Sequence, residues 1–292
     1  MYECINLSKQ NMDSLEILSA FNSNFNELNE DFLEFYLKCN FPQQVIARRK
    51  VKLLKNQEDY VGYIWFEHEN KKNCIIKSMI SKELNNIDDY KILLSNIKGK
   101  STIQYTCKSN ETNSKIMAEL GFFKNSGLLE MSLSNFNFDR DSYNKILNKE
   151  NITFRTFVKG RDENLRCTIQ NQVFEDEDRS PLRVHDIYFD ECQNYYLDYG
   201  GILIYKGTKC AGYGQIILEK EYPYIVNVGV TNEFRGLGYG KILMFKLLDL
   251  LSENKYNEVR LKVKENNYKA LNLYKGLGFN EISEIYKWEL KR

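Results

Sequence analysis

Laid on itself with a shift of 150 residues, the sequence repeats. Tyr2-Glu3-Cys4-Ile5-Asn6-Leu7 falls on Ile152-Thr153-Phe154-Arg155-Thr156-Phe157, two short strand-like runs. Leu53-Leu54 falls on Leu203-Ile204, Val61-Gly62-Tyr63 on Ala211-Gly212-Tyr213, and Lys91-Ile92-Leu93 on Lys241-Ile242-Leu243. Beyond this the shift becomes 157, so the first copy has lost seven residues. Leu94-Ser95 then meets Leu251-Ser252, Asn110 meets Asn267, and Leu120-Gly121-Phe122 meets Leu277-Gly278-Phe279. One offset kept over several elements, with one deletion, points to one fold written twice. The 292 residues divide into domains at 1–140 and 150–292, with the join in the polar stretch Ser134 to Asn151.

Composition allows two such cores. The chain is 42% hydrophobic and 13% aromatic, which argues against general disorder. A mean hydropathy of −0.53 and charges throughout leave no apolar run of bilayer-spanning length. Forty-one basic against 40 acidic residues give no whole-chain footprint for nucleic acid. Neither a membrane nor a nucleic acid is therefore expected as a partner. The seven cysteines are scattered without a Cys-x-x-Cys pair, and His68 and His185 lie far apart. That pattern predicts small buried thiols in a reducing cytoplasm, with no disulfide frame and no metal site. The start, Met1-Tyr2-Glu3-Cys4-Ile5, lacks the basic-then-apolar layout of a secretory signal, which agrees with a cytoplasmic location.

Secondary structure is clearest in the second copy. Strands are predicted at Ile152–Phe157, Gly201–Tyr205, Gly212–Leu218, Tyr224–Val230, Glu258–Val263 and Glu284–Leu290. The turn Lys206-Gly207-Thr208 joins the second of these to the third. Helices are predicted at Glu163–Phe174, Gly240–Ser252 and Asn267–Leu277. The middle one carries a buried stripe of Ile242, Leu243, Phe245, Leu247, Leu248 and Leu251. Strands with helices between them imply an α/β or α+β sheet covered by helices.

Arg235-Gly236-Leu237-Gly238-Tyr239-Gly240 lies between the strand ending at Val230 and the helix from Gly240. A strand, a glycine-rich turn and a helix N-terminus make an anion site, because backbone N–H groups and the helix dipole both face the ligand. Arg235 adds a fixed positive charge suited to phosphate. A Walker-type loop would need a hydroxyl after its lysine, but Gly240-Lys241-Ile242 has none. A dinucleotide fingerprint would follow the first strand of its domain, whereas this turn follows the fourth. A coenzyme A pyrophosphate site is the third reading. It is joined downstream by Val263, Asn267, Ala270, Leu273-Tyr274 and Gly278-Phe279. Asn267 and Tyr274 are two helical turns apart and share a face, with the small Ala270 between them.

In these paired motifs the sequence resembles the GNAT superfamily of acyl-CoA-dependent N-acetyltransferases. Arg235 to Gly240 matches that family's Gln/Arg-x-x-Gly-x-Gly/Ala loop, and Asn267 to Phe279 matches its following helix and turn. The resemblance covers roughly residues 152–290 directly and the first half through the repeat. It implies two tandem GNAT-like domains, each a mixed, mostly antiparallel sheet flanked by helices, an architecture similar to that of mycothiol synthase-type proteins.

The resemblance also implies roles. Acetyl-CoA is the co-substrate, its pantetheine arm pairing with the backbone of Val228, Gly229 and Val230 in a splay beside the strand Glu258–Val263. The N–H groups of Gly236, Leu237, Gly238, Tyr239, Gly240 and the adjacent Lys241, with Arg235, hold the pyrophosphate. Asn267 hydrogen-bonds the pantetheine, Ala270 leaves room for it, and Tyr274 protonates the departing thiolate. Tyrosine suits that role because it keeps its proton at neutral pH yet yields it to a sulfur developing charge. A strand amide near Val230 polarises the thioester carbonyl. Many members carry a glutamate 11 residues before the loop arginine, where this chain has Tyr224. Glu219 and Glu221 are nearby substitutes as general base. Glu175-Asp176-Glu177-Asp178, Asp186, Asp190, Glu191 and Asp198 occupy the segment of the acceptor wall, and carboxylates there suit a cationic amine. His185 is a further candidate base.

The first copy departs from these motifs. Asn85-Asn86-Ile87-Asp88-Asp89-Tyr90 stands opposite Arg235–Gly240, and Met117 opposite Tyr274. Carboxylates where a pyrophosphate belongs predict a degenerate N-terminal domain without a productive acetyl-CoA site. The expected activity is acetyl transfer to the primary amine of a small-molecule acceptor by a monomer or homodimer. A non-catalytic acyl-CoA-binding sensor or scaffold, or a peptide or protein N-acetyltransferase, is the alternative.

Overall fold

The computed structural model describes residues 2–21, 25, 27–136, 140–175 and 180–292. The chain partitions into two units. Unit 1 comprises Met1–Leu129, Lys264–Asn266 and Ser283–Arg292; unit 2 comprises Glu130–Val263 and Asn267–Ile282. The repeat placed 150–292 in one segment, whereas the last strand packs with the first unit.

In chain order the elements are β1 (Tyr2–Asn6), α1 (Met12–Ser19), α2 (Phe32–Lys38), α3 (Phe41–Arg49), β2 (Val51–Asn56), β3 (Asp59–His68), β4 (Asn73–Ser81), α4 (Ile87–Ser95), β5 (Thr102–Lys108), α5 (Glu111–Glu119) and β6 (Phe123–Ser134). There follow α6 (Arg140–Glu150), β7 (Ile152–Thr156), α7 (Glu163–Val173), α8 (Val184–Glu191), β8 (Tyr196–Lys206), β9 (Lys209–Glu219), β10 (Tyr222–Val230), α9 (Tyr239–Glu253), β11 (Glu258–Lys264), α10 (Tyr268–Gly276) and β12 (Asn280–Lys291). Adding 157 to the bounds of α5 and β6 returns those of α10 and β12, so the duplication holds at the level of whole elements.

In unit 1, β1 to β4 form an antiparallel meander. Strand β5 lies parallel to β4 from Asn73↔Thr102 to Ile75↔Gln104. The segment of β12 from Ile285 to Lys291 pairs antiparallel with β5. Alternation in β2 and β3 sends Leu53, Tyr63 and Trp65 to a face packed with Leu15, Leu18 and Phe32, and Leu54 and Ile64 to the other. On that second face Trp288 of β12 joins Cys107, Met117 and Phe122. Unit 2 repeats the meander in β7 to β10, and β11 is parallel to β10. Tyr213 and Leu203 face Phe157, Ile169 and Ile187, and α9 packs on β9 and β10. In each unit the strand pairing is mixed and mostly antiparallel, as the resemblance implied.

Three local expectations need correction. In α9 the buried stripe includes Met244, while Phe245 is only half-buried, because the stripe faces β9 and β10 rather than following hydrophobicity alone. The acidic segment from Asp186 to Glu191 is helix α8, anchored by the buried Ile187. The seven cysteines are free thiols, but only Cys74, Cys107 and Cys167 are buried and Cys192 is exposed. Among the described residues no helix is long and apolar enough to cross a membrane.

Trp288 is 4% exposed and carries β12 into the core of unit 1. Trp288→Ala is expected to lower the unfolding free energy by about 3–5 kcal/mol. It should also speed hydrogen exchange at the amides of Thr102–Lys108. Urea unfolding and exchange mass spectrometry check both, and unchanged exchange there would show that β12 does not hold β5.

Candidate active site

Strand β10 carries one residue more than its partner. Its register with β9 steps from Val226↔Gln215 to Gly229↔Tyr213, three residues against two, and Asn227 takes φ +56°. This β-bulge bends the strand and frees backbone groups from the ladder. On the other side β10 meets β11 at Tyr224↔Arg260, the one register pair between them among the described residues. Beyond it the strands part, and Val228–Val230 form one wall of a cleft of about 590 Å3.

A buried polar chain holds the bulge. Asn227 Nδ2 donates to Gln215 Oε1 at 3.1 Å, and Arg166 Nη2 donates to the same oxygen at 3.0 Å. Arg166, 2% exposed, also reaches Asp190 Oδ2 at 2.6 Å and lies over the rings of Phe157 and Tyr213. Tyr195 donates its hydroxyl to Asp190 Oδ1 at 2.7 Å. Gly229 has no side chain because there is no room for one: a Cβ there would lie 1.9 Å from Val173 Cγ1 at the end of α7.

The glycine-rich loop closes one end of the cleft. Gly236 and Gly238 have φ of +78° and +84°, left-handed conformations that L side chains rarely adopt, and a Cβ on either would meet open space. Helix α9 begins with no side-chain cap and no acid in its first turn, so its leading N–H groups have no anion of their own. Arg235 ties this loop to both walls, donating from Nε to Val230 O at 3.2 Å and from Nη2 to Val173 O at 2.7 Å. Arg235 and Lys269 line the cleft, and among the described residues no carboxylate does.

Helix α10 supplies the opposite wall. Asn267, Ala270 and Tyr274 face the cleft from one side of the helix. Asn267 Oδ1 caps it by accepting from Ala270 N at 3.2 Å. Tyr274 packs against Phe279 with ring centroids 5.9 Å apart, and burial pushes its phenol up to about 12.

Residues 170–279, which span the loop and both helices of the cleft, match the Acetyltransferase (GNAT) family. Over these residues the chain is similar to that family. It is similar to the mycothiol acetyltransferase of Stackebrandtia nassauensis, 32% identical over 140 residues, which are 44% of each chain. The chain thus spans about 44% of that curated relative's length. The fold resembles a GCN5-related N-acetyltransferase from Sphaerobacter thermophilus, with a TM-score of 0.66, 14% identity, and coverage of 99% and 95% of the two chains. It also resembles a tandem GNAT protein from the clavulanic acid biosynthesis pathway, with a TM-score of 0.64, 12% identity, and coverage of 100% and 98%.

The GNAT cleft thus gathers Val228, Gly229, Val230, Arg235, Gly236, Gly238, Tyr239, Gly240, Asn267, Ala270 and Tyr274. Leu237 is 65% exposed at the loop tip, and Lys241 lies over the Phe245 ring on the outer side of α9. Neither lines the cleft. Glu219 pairs with Lys262 at 3.2 Å, and Glu221 lines a separate hollow of about 370 Å3 with Tyr222, Tyr256 and Glu258. Sequence reasoning missed Val173, Phe174, Phe234 and Lys269 as cleft residues. The first two end a correctly predicted helix, but only the Gly229 contact shows which strand that end meets.

Three carboxylates of the acidic segment have partners within the protein. Asp190 holds Arg166, Asp186 Oδ2 accepts from Arg183 N at 2.7 Å, and Asp198 pairs with Lys159 at 2.6 Å. His185 is exposed on α8. Asp176, Glu177 and Asp178 lie outside the described residues, and Glu175 borders a small hollow with Asn171 and Pro181. In unit 1 the corresponding place is a hollow of about 430 Å3 bordered by Asn85, Glu111 and Glu119. Asp88 and Asp89 sit in the first turn of α4, where their charge already answers the helix dipole. Asn110 caps α5, and Met117 is fully buried.

The Gly229–Val173 contact is testable. Gly229→Ala is expected to cost about 1–3 kcal/mol through overpacking, and adding Val173→Ala should return most of it. Urea unfolding of the four forms gives the cycle; simple additivity would mean the two positions do not meet.

Proposed function

We propose that the protein transfers the acetyl group of acetyl-CoA to the primary amine of a small-molecule acceptor, in the cleft of unit 2. The observation that carries this reading is the convergence on one cavity of an uncapped helix N-terminus, an unpaired rim of strand and a half-buried phenol.

Each group has a task its surroundings fit it for. The N–H groups of Gly236, Gly238, Tyr239 and Gly240, with the dipole of α9, hold the pyrophosphate, and Gly236 and Gly238 leave open space in which it lies. Arg235 fixes the loop through two backbone carbonyls, so it shapes this cradle besides adding charge. The rim of Val228–Val230 pairs with the amides of the pantetheine arm as a strand would, and Asn267 and Ala270 border that arm from α10. Acetyl-CoA supplies the activated acyl thioester. The amide of Val230 polarises its carbonyl, and the phenol of Tyr274 gives a proton to the departing sulfur. Attack by the neutral amine is direct, with no covalent enzyme intermediate. In unit 1 the first turn of α4 carries Asp88 and Asp89, and Met117 stands where the phenol would be, so we assign one acetyl-CoA site to the chain. Free thiols, one of them exposed, suit a reducing cytoplasm.

Thiol release from acetyl-CoA across a panel of amines tests the reading; tight acetyl-CoA binding with no turnover on any amine would favour a sensor. Tyr274→Phe is expected to lower kcat about 10²-fold with acetyl-CoA affinity unchanged. The donor form of Tyr274 exists below its raised value of about 12 and is lost as pH rises through it. Loss of that proton therefore leaves kcat flat up to roughly pH 11, one unit below. A Tyr274→Phe enzyme with parental kcat would end the role.

A further inference from the structure

We propose that Phe25, Asn29 and Glu30 form a strap that fills the parting between β4 and β5 and closes unit 1 to the pantetheine arm of an acyl-CoA. The identity of the excluded ligand rests on the acetyl-CoA reading above, whereas the closure rests on unit 1 alone. Unit 1 parts its strands as unit 2 does. Register between β4 and β5 ends at Ile75↔Gln104, although β4 runs on to Ser81 and β5 to Lys108.

The bulge is kept as well. Against β3, the register of β4 steps from Ser78↔Trp65 to Ile76↔Phe66, which leaves Lys77 as the extra residue. A shift of 150 lays Lys77 on Asn227 and Met79 on Gly229, the bulge and the cleft wall of unit 2. A bulged strand that has left its neighbour holds backbone groups that still need partners.

In unit 1 the chain supplies those partners itself. Glu30 N donates to Lys77 O at 2.9 Å, and Asn29 Nδ2 donates to Met79 O at 3.2 Å. From the other strand, the Tyr105 hydroxyl donates to Asn29 Oδ1 at 2.9 Å. One side-chain amide thus spans from β4 to β5. With an N–H given on one side and an oxygen accepting on the other, it bonds as an amide of the pantetheine arm would. Ion pairs flank it, Glu30 with Lys77 at 2.5 Å and Glu27 with Lys108 at 2.6 Å.

The ring of Phe25 reaches through the gap. Leu18 and Phe32, before and after it in sequence, belong to the core on one face, whereas the fully buried Phe25 belongs to the core on the other. There its ring centroid lies 5.4 Å from that of Tyr90 and 5.5 Å from that of Tyr105. Tyr90 stands opposite Gly240 in the repeat, and Met117, in the same core, stands opposite Tyr274. The counterparts of two residues that line the unit 2 cleft therefore share one core with Phe25. Unit 1 is closed twice, by the carboxylates of α4 where a pyrophosphate would lie and by the strap where the arm would lie.

Hydrogen exchange of the full chain, read by mass spectrometry, tests the strap with pantetheine as the probe. Pantetheine carries the arm without the pyrophosphate that α4 repels. In the parent, millimolar pantetheine is expected to leave exchange at the amides of residues 77–81 unchanged. Asn29→Ala removes both hydrogen bonds of the spanning amide and should speed exchange at the Glu30 amide about tenfold. Phe25→Ala added to it opens the gap, and pantetheine should then slow exchange at residues 77–81 severalfold. Should the double variant fail to fold, Asn29→Ala alone meets the same probe and should show a smaller slowing at the same amides. Slowing there in the parent, unchanged exchange of Glu30 in Asn29→Ala, or no slowing in the folded variant would each overturn the strap. Acetyl-CoA should slow exchange at Val228–Val230 in the parent, and no slowing there would remove the acetyl-CoA reading whatever unit 1 does.

Discussion

One extra residue in β10 governs the active half of this protein. Without the bulge at Asn227, β10 would run on beside β11 and spend its backbone groups on a continuous ladder. With it, the strands part after Tyr224↔Arg260, and Val228–Val230 are left to line a cavity. A left-handed asparagine in mid-strand is an uncommon conformation, and the chain from Asn227 through Gln215 to Arg166 and Asp190 holds it in place. Burying a guanidinium and a carboxylate is a poor way to gain stability, and an apolar pair would often serve as well. What the ionic pair provides is direction: two donors on one glutamine oxygen fix the amide that fixes the bulge.

The two copies show how little has to change for a fold to lose a binding site. Both keep the meander, the parallel strand and the helix after it, and α5 and α10 coincide under the repeat. Their chemistry diverges at helix N-termini. Helix α9 starts with two left-handed glycines and no acid, whereas α4 starts with Asp88 and Asp89. A carboxylate at that place does for the dipole what a bound phosphate would do, and so removes the reason to bind one. The fold tolerates either ending because it depends on buried residues such as Leu93 and Leu247, not on the cradle.

Much of this was legible in the sequence. Periodicity placed the second copy's strands and helices to within a few residues, since one buried face imposes its spacing on each element. The loop and α10 motifs placed eight cleft residues, because backbone conformation and helical spacing are local properties, and the end of the preceding strand placed three more. What escaped was set by partners distant in sequence. Nothing near Gly229 announces Val173, and nothing near Met79 announces Asn29, fifty residues away. Nor does the local sequence announce that Asp190 and Asp198 pair with Arg166 and Lys159. Helix α8 was hidden because it is short and only Ile187 of its eight residues is fully buried, too little to show a helical stripe.

The partition of the chain has a bearing on how it is made. A ribosome releases β5 long before Ser283–Arg292, the segment whose register completes its pairing. During that interval Thr102–Lys108 is an exposed strand edge, and the place that Trp288 will fill stands open. Of the two units, the one begun first is therefore completed second. Synthesis interrupted before Ser283–Arg292 leaves a sticky intermediate for chaperones and proteases to sort, even where every residue of the cleft in unit 2 has already been joined.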